Sequence, residues 1–284
     1  MEDREFVKGF EKKVRETIRR YKLVSKKDRV LVACSGGKDS TAVLYLLNKF
    51  GYKAEGFIID LEMGKWSEVN LKNLKKFCKE HRFKLHVVPF KDEVGHSVCY
   101  ARSIIQSREN LQSCQICGIL KRWIMNKKAR ELGATVIATG HNLDDEAQTA
   151  LMNVFSGNPK IGLNIGPRTG TIEDEKFITR IKPLFFCSES DTRRYSETVG
   201  FKVLYDRCPC SKDSYRAFVR DSLNGFEDKY PGTKENIVRS SLFALGEVKR
   251  GLKVKRPVLH CKVCGEPSNN SVCRACEMIG KLRD

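Results

Sequence analysis

The chain has no long apolar run. Stretches such as Thr41–Leu47 and Ala134–Ala138 fall far short of the ~18 residues a membrane span needs, which excludes a membrane-spanning protein. Met1–Arg20 lacks the apolar core and cleavage signal of a secretory leader. It is charged and helix-like, so a cytoplasmic protein is expected. Acidic residues are scarce beside basic ones: 35 Asp and Glu stand against 53 Lys and Arg, a net charge of +18. That excess is large for an enzyme acting on small metabolites and points to an acidic partner, most simply a phosphate backbone. Two nucleotide-binding signatures are missing as well. GxGxxG does not occur, and GxxxxGK[ST] fails because Val32 stands where its first glycine must be.

What is present is enough for a core. A chain of 284 residues with 40% hydrophobic content makes one large domain, or one with a small appendage, and not a disordered chain. The 12 cysteines need an explanation other than the disulfides of a small secreted domain. They are grouped: Cys114 with Cys117, Cys208 and Cys210 around one proline, and Cys261, Cys264, Cys273 and Cys276. In a reducing compartment such groups bind metal or handle sulfur. Cys34, Cys78, Cys99 and Cys187 are dispersed and read as small apolar packing residues.

Apolar periodicity predicts a helix over Phe6–Tyr21, strands at Arg29–Cys34, Ala54–Asp60, Lys84–Pro89, Ala134–Thr139 and Phe177–Leu184, and intervening helices at Thr41–Phe50, Asn70–Arg82, Cys117–Leu132 and Asp144–Val154. Short apolar strands alternating with helices imply an α/β fold with a parallel five-stranded sheet covered on both faces. Such sheets bind ligands at the carboxyl ends of their strands. Charged helices follow at Glu189–Val199 and Tyr215–Tyr230, then a basic linker, Lys249–Pro257, and a tail with too few apolar residues for its own core. The expected divisions are an N-terminal helix (1–28), a nucleotide-binding domain (29–187), a helical extension completing the site (188–250) and a metal-binding tail (251–284).

Three segments carry chemistry. Ser35-Gly36-Gly37-Lys38-Asp39-Ser40 joins the first strand to the first sheet-covering helix. Its glycines let the backbone approach an anion, the helix start offers free N–H groups, and Lys38, Ser35 and Ser40 add donors. An ordinary capped glycine turn is the plain alternative, but the loop resembles the pyrophosphate-binding loop of the ATP pyrophosphatases. Gly140, His141, Asp144 and Asp145 follow the fourth strand, and two carboxylates there can hold Mg²⁺ on ATP phosphates or merely cap a helix. Cys114 and Cys117 open a helix, where thiolates are favoured, and Cys208 is a natural third ligand. A redox dithiol, half a zinc site and a shared cluster all fit. In the tail, Cys261-x2-Cys264-x8-Cys273-x2-Cys276 suits tetrahedral Zn²⁺. Lys253, Lys255, Arg256, Lys262 and Arg274 surround it as an RNA-contacting knuckle requires.

Taken together, SGGKDS at 35–40, CQICGILKR at 114–122, ATGHNLDDEAQT at 138–149, DRCPCSKDSYRAFVRDSLN at 206–224 and the terminal knuckles resemble the tRNA 2-thiouridine synthetases of the TtcA/TtuA family, nearer the TtuA and wobble-uridine branch. The resemblance implies the adenine-nucleotide α-hydrolase (PP-loop) fold. It also implies Mg²⁺-ATP bound by Ala33, Cys34, the 35–40 loop, Asp60, Gly140, His141 and Asp144, and a [4Fe-4S] cluster on Cys114, Cys117 and Cys208. Lys121 and Asp145 match the family's catalytic lysine and aspartate. The implied partners are tRNA and a sulfur donor, either a ubiquitin-like thiocarboxylate protein or free sulfide, and a homodimer is expected. Cys210 is a spare thiol or a rival ligand to Cys208. Members of this branch usually open with a further Cys/His zinc finger, and Met1–Arg20 holds neither residue type. Two rivals are an amide-forming ATP pyrophosphatase of the lysidine-synthetase kind, which needs no CxxC beside its nucleotide, and a non-catalytic RNA-binding module, which needs no intact phosphate loop.

Overall fold

The computed structural model describes residues 2–157, 165–169, 174–206, 208–211, 215–251 and 258–283. Helix α1 (Glu2–Arg20) precedes a β/α alternation: β1 (Arg29–Cys34), α2 (Lys38–Lys49), β2 (Lys53–Asp60), α3 (Lys65–Glu80), β3 (Leu85–Pro89), α4 (Phe90–Val94), α5 (Val98–Arg108), α6 (Ser113–Glu131), β4 (Val136–Thr139) and α7 (Leu143–Phe155). Then come β5 (Arg168–Thr169), β6 (Thr179–Ile181), α8 (Glu189–Val199), a 3-10 turn (Pro209–Ser211), α9 (Tyr215–Lys229), α10 (Thr233–Gly251), β7 (Leu259–His260), β8 (Pro267–Ser268) and α11 (Arg274–Gly280). No helix among the described residues is long and apolar enough to cross a membrane.

The strand order is β3-β2-β1-β4-β6-β5. β1 pairs in parallel with β2 on one side and β4 on the other. The chain therefore winds outward from β1 in both directions, and the turns after β1 and β4 flank a crevice at the carboxyl edge. Period-two alternation splits β1 between two cores. Val30, Val32 and Cys34 face a cluster with Val14, Leu44, Leu47 and Tyr195. Leu31 faces the opposite cluster with Phe57, Ile105, Leu120 and Ile124. A third cluster, around Leu143, Ala147, Phe185, Val219 and Val238, ties α7 to α9 and α10.

Several expectations need correction. The sheet has six strands, not five, because Arg168–Thr169 adds a short antiparallel edge to β6. β6 itself is three residues, since Pro183 follows Lys182. Helix α3 begins at Lys65, after Gly64 at φ +65°, earlier than the apolar pattern shows. Helices α4, α5, α10 and α11 were not anticipated, and α10 runs on to Gly251, into the stretch expected as a linker from Lys249. On α5, Val98, Ala101 and Ile105 are buried, which turns Cys99 outward, so it is exposed and not a packing residue. Cys34, Cys78 and Cys187 are buried as expected. Lys253, Lys255 and Arg256 of the basic linker lie outside the described residues.

The tail borrows its core. Cys261, Cys273, Ala275, Met278 and Leu282 join the cluster that α6 builds. Polar contacts reinforce the seat: Asn126 Nδ2 donates to Glu266 at 2.8 Å, Arg130 pairs with Glu266, and Arg274 and Lys281 both pair with Glu109. Arg274 remains exposed while paired with Glu109 and Glu277.

Candidate active site

The 35–40 loop is braced from within. Gly36 sits at φ +82°, and a Cβ there would lie 2.8 Å from Asn70 Cβ, so only glycine fits. The Ser40 hydroxyl accepts from the Ser35 N–H at 3.1 Å and donates to the Gly37 carbonyl at 3.2 Å. Gly37 precedes α2 without a side-chain cap, so the helix start keeps N–H groups available for an anion. Ala33 is half-buried at the strand end. Cys34 points into the core, where burial pushes its thiol up to about 12, so only its backbone faces a ligand. Asp60, at the end of β2, accepts from the Glu62 N–H at 3.0 Å.

The turn after β4 closes on this loop. A Cβ on Gly140 would meet Ser40 N at 2.7 Å and Asp39 C at 3.0 Å. Asn142 Nδ2 donates to Asp39 Oδ1 at 3.1 Å. Lys38 pairs with Asp39 at 3.0 Å and with Glu189 of α8 at 3.1 Å. Burial opposes its charge, but the two carboxylates outweigh it and raise its pKa. Burial also raises Asp39 and Asp145, against the pull of Lys38 on the first and Arg216 on the second.

The adjacent aspartates differ. Asp144 is buried and committed: its Oδ2 accepts from the Glu189 N–H at 2.7 Å, and its Oδ1 pairs with Lys234 of α10. Asp145 does cap α7, accepting from the Asn142 N–H at 3.3 Å, yet its other oxygen stays accessible, 4.0 Å from Arg216. His141 lines the crevice. Its ring is exposed to the crevice, with Nδ1 2.9 Å from Thr139 Oγ1, and neighbouring protein and the charges of Lys182, Arg216, Arg180 and Arg122 hold its pKa below the usual imidazole range. Burial, and then Arg122, bring Arg180 down to about 10.

Helix α6 connects this crevice to the thiols. Cys114 is exposed and Cys117 half-buried in its first turn. The turn carrying Cys210 seats on the start of α6, with Cys114 Sγ donating to the Cys210 carbonyl at 3.7 Å, and burial raises the pKa of Cys208. Arg122 follows Lys121 on α6, and burial lowers its pKa against the charge of Cys117. Sequence reasoning missed Arg102, whose guanidinium donates to Cys210 Sγ and Ser113 Oγ, both at 2.7 Å, and pins the 3-10 turn to the start of α6. It also missed the crevice cations Arg122, Arg180, Lys182 and Arg216, because nothing in their local sequence marks residues that meet only in the fold. In the tail, the sulfurs of Cys261, Cys264, Cys273 and Cys276 all lie within 4.8 Å of one another. Burial opposes ionisation of Cys261, but N–H groups of Cys273, Cys264 and Val263 pull it down to about 6.

A mostly parallel sheet with a glycine loop at its switch point, faced by carboxylates, defines an α/β enzyme of the nucleotide-binding kind. The PP-loop domain family matches residues 7–226. The chain is 37% identical, over 98% of its length and 87% of the relative's, to a tRNA-5-methyluridine(54) 2-sulfurtransferase of Pyrococcus horikoshii. It is 30% identical to the tRNA 2-thiolation protein NcsA of Haloferax volcanii, over 99% and 92% of the two chains. Among solved structures, the U34-tRNA thiolase NcsA of Methanococcus maripaludis, which carries a [4Fe-4S] cluster, matches with a TM-score of 0.78 and 28% identity, over 99% of this chain and 89% of that one. The chain belongs to the PP-loop family, in the branch of the tRNA 2-sulfurtransferases.

Proposed function

We propose that this enzyme is an ATP-dependent, cytoplasmic tRNA 2-sulfurtransferase. It exchanges O2 of a tRNA uridine for sulfur and splits ATP to AMP and pyrophosphate. The observation that carries this reading is the seating of the 3-10 turn that follows Cys208 against the start of α6, where Cys114 Sγ donates to the Cys210 carbonyl at 3.7 Å and Arg102 bridges Cys210 and Ser113, in a fold whose 35–40 loop closes on the Gly140 turn. An amide-forming pyrophosphatase has no use for thiols there.

The 35–40 loop and the N-terminus of α2 hold the ATP phosphates, with Lys38 exchanging a carboxylate for a phosphate oxygen. Asp39 and Asp145, facing each other across the loop, supply oxygens suited to Mg²⁺. Uridine O2 attacks the α-phosphorus and pyrophosphate leaves. Sulfide then attacks C2, the C–O2 bond breaks, and AMP departs with that oxygen. Lys121 offsets the negative charge that develops on the oxygens.

Cys114, Cys117 and Cys208 supply three sulfur donors, the ligand type an iron–sulfur cluster takes. A [4Fe-4S] cluster held there would supply one open iron for the sulfur atom. In the tail, Zn–S bonds of about 2.3 Å put tetrahedral sulfurs about 3.8 Å apart. Cys264 and Cys273 are separated by 3.7 Å, so the four residues fit one structural Zn²⁺. A ubiquitin-like thiocarboxylate protein or free sulfide provides the sulfur. The enzyme acts as a homodimer, for which the exposed rings of Phe218, Phe226 and Phe243 offer apolar surface.

The test incubates anaerobically purified protein with tRNA, ATP, Mg²⁺ and sulfide, then digests the tRNA for nucleoside mass spectrometry. Equal yields of 2-thiouridine and AMP are expected. AMP release without a thiolated nucleoside would assign the chain to another pyrophosphatase reaction.

A further inference from the structure

At the opposite end of the sheet from the phosphate loop lies a cavity of about 760 Å³. Its walls come from the end of α1, the 21–28 segment, the residues preceding β2 and β4, and β5. Five exposed cations reach it, Arg15, Arg19, Lys22, Lys26 and Arg168, against one carboxylate, Asp28. That carboxylate is shared: it accepts from the Ser25 N–H and hydroxyl, each at 2.7 Å, and from the Thr135 hydroxyl at 2.8 Å, and, against burial, the charge of Arg168 also helps to lower its pKa.

Among the described residues, no carboxylate comes within ion-pair distance of any of the five cations. They are held in other ways. The Arg15 guanidinium lies 3.8 Å from the centre of the Phe50 ring, and Lys26 Nζ lies 4.3 Å from that of Tyr52. Arg168 donates to the Lys22 carbonyl at 3.3 Å, and Lys22 is in the left-handed region at φ +47°. Aromatic faces and carbonyls orient a cation without cancelling its charge. Five like charges around one concavity repel one another, and a polyanion relieves that repulsion. A single phosphate can meet only one or two of these side chains, whereas a run of phosphates can meet all of them.

We propose that this cavity seats the phosphodiester backbone of the tRNA substrate, away from the reacting uridine. The proposal rests on tRNA being the substrate. β1 has six residues at about 3.3 Å each, so the seat and the phosphate loop are separated by about 20 Å, a span that a folded tRNA exceeds.

The test compares wild type with an Arg19→Gln/Lys22→Gln/Arg168→Gln variant. Full-length tRNA binding is followed by fluorescence anisotropy across a KCl series, and ATP and inorganic pyrophosphate binding by calorimetry. The variant should bind tRNA about tenfold or more weakly at moderate salt. Its log–log salt slope should flatten by about two to three units, near one per lost contact, with ATP affinity unchanged. Should the triple variant melt early, the single Lys22→Gln and Arg19→Gln variants carry the test, each flattening the slope by about one unit. Unchanged tRNA affinity and slope would overturn the proposal. Lost pyrophosphate binding with intact tRNA binding would also overturn it and assign the cavity to a small anion. Wild type that binds no tRNA at any salt would overturn the sulfurtransferase reading, and this proposal with it.

Discussion

Gly140→Ala is the sharpest probe of how the site is assembled. The new Cβ would lie 2.7 Å from Ser40 N, 3.0 Å from Asp39 C and 3.1 Å from Asp39 Cβ. The two nearest atoms are backbone, so no side chain can swing aside. Carbon contacts settle near about 3.5–4.0 Å, which forces the β4–α7 turn and the phosphate loop apart by a little under about 1 Å. Overpacking of this kind costs about 1–3 kcal/mol, or several degrees of Tm at about 2–4 °C per kcal/mol for a chain of this size. The kinetic effect should be larger. Separation stretches the Asn142–Asp39 hydrogen bond and shifts Asp145 relative to the bound phosphates, and a misplacement of ~1 Å costs about 10²-fold in rate. Gly225→Ala is the control: it lies within α9 with nothing within 4 Å of the added Cβ, and should be neutral or stabilising by up to ~1 kcal/mol. The assay is single-turnover AMP release with tRNA present, beside ATP affinity and thermal melting. Gly140→Ala with wild-type AMP release would refute the claim that these two turns form one catalytic unit.

Asp144→Asn and Asp145→Asn should separate stability from rate. The first breaks the buried pair with Lys234, at about 3–5 kcal/mol, and shows as a large fall in Tm. The second should leave Tm nearly unchanged and lower adenylation by ~10²–10⁴. Cys261→Ser should release one zinc, read by metal analysis, and loosen the tail from α6 while ATP affinity holds. His141 is held below its unfolded pKa of about 6.5, so the unfolded chain binds the extra proton as pH falls. Stability should therefore fall slightly as pH drops below about 6.5, and the gap between denaturation midpoints at pH 7 and 5 should narrow in His141→Gln.

The parallel sheet was legible because its central strands are dense apolar runs between turn signals: β1 ends where Cys34 meets Ser35-Gly36-Gly37, and β4 where Thr139 meets Gly140. The edge was not. Arg168–Thr169 and Thr179–Ile181 are too short to show a period, and their pairing depends on distant partners. Helix α5 spaces Val98, Ala101 and Ile105 legibly, but polar residues between them masked the face. In the site, local motifs marked the phosphate loop, the carboxylates and the thiols. The crevice cations and the bracing of Cys210 by Arg102 depend on contacts between segments far apart in sequence, which no local spacing records. The separate fates of Asp144 and Asp145 likewise came only with Lys234 and Glu189.

The central claim is that thiols and phosphate loop serve one reaction. Anaerobic wild type and Cys208→Ser, each assayed for iron and then given ATP, Mg²⁺, sulfide and tRNA, test it directly by counting 2-thiouridine formed per AMP released. Wild type should carry about four irons and form one 2-thiouridine per AMP, and Cys208→Ser should form none. Full-rate thiolation by Cys208→Ser, or by iron-free aerobic protein, would contradict the account.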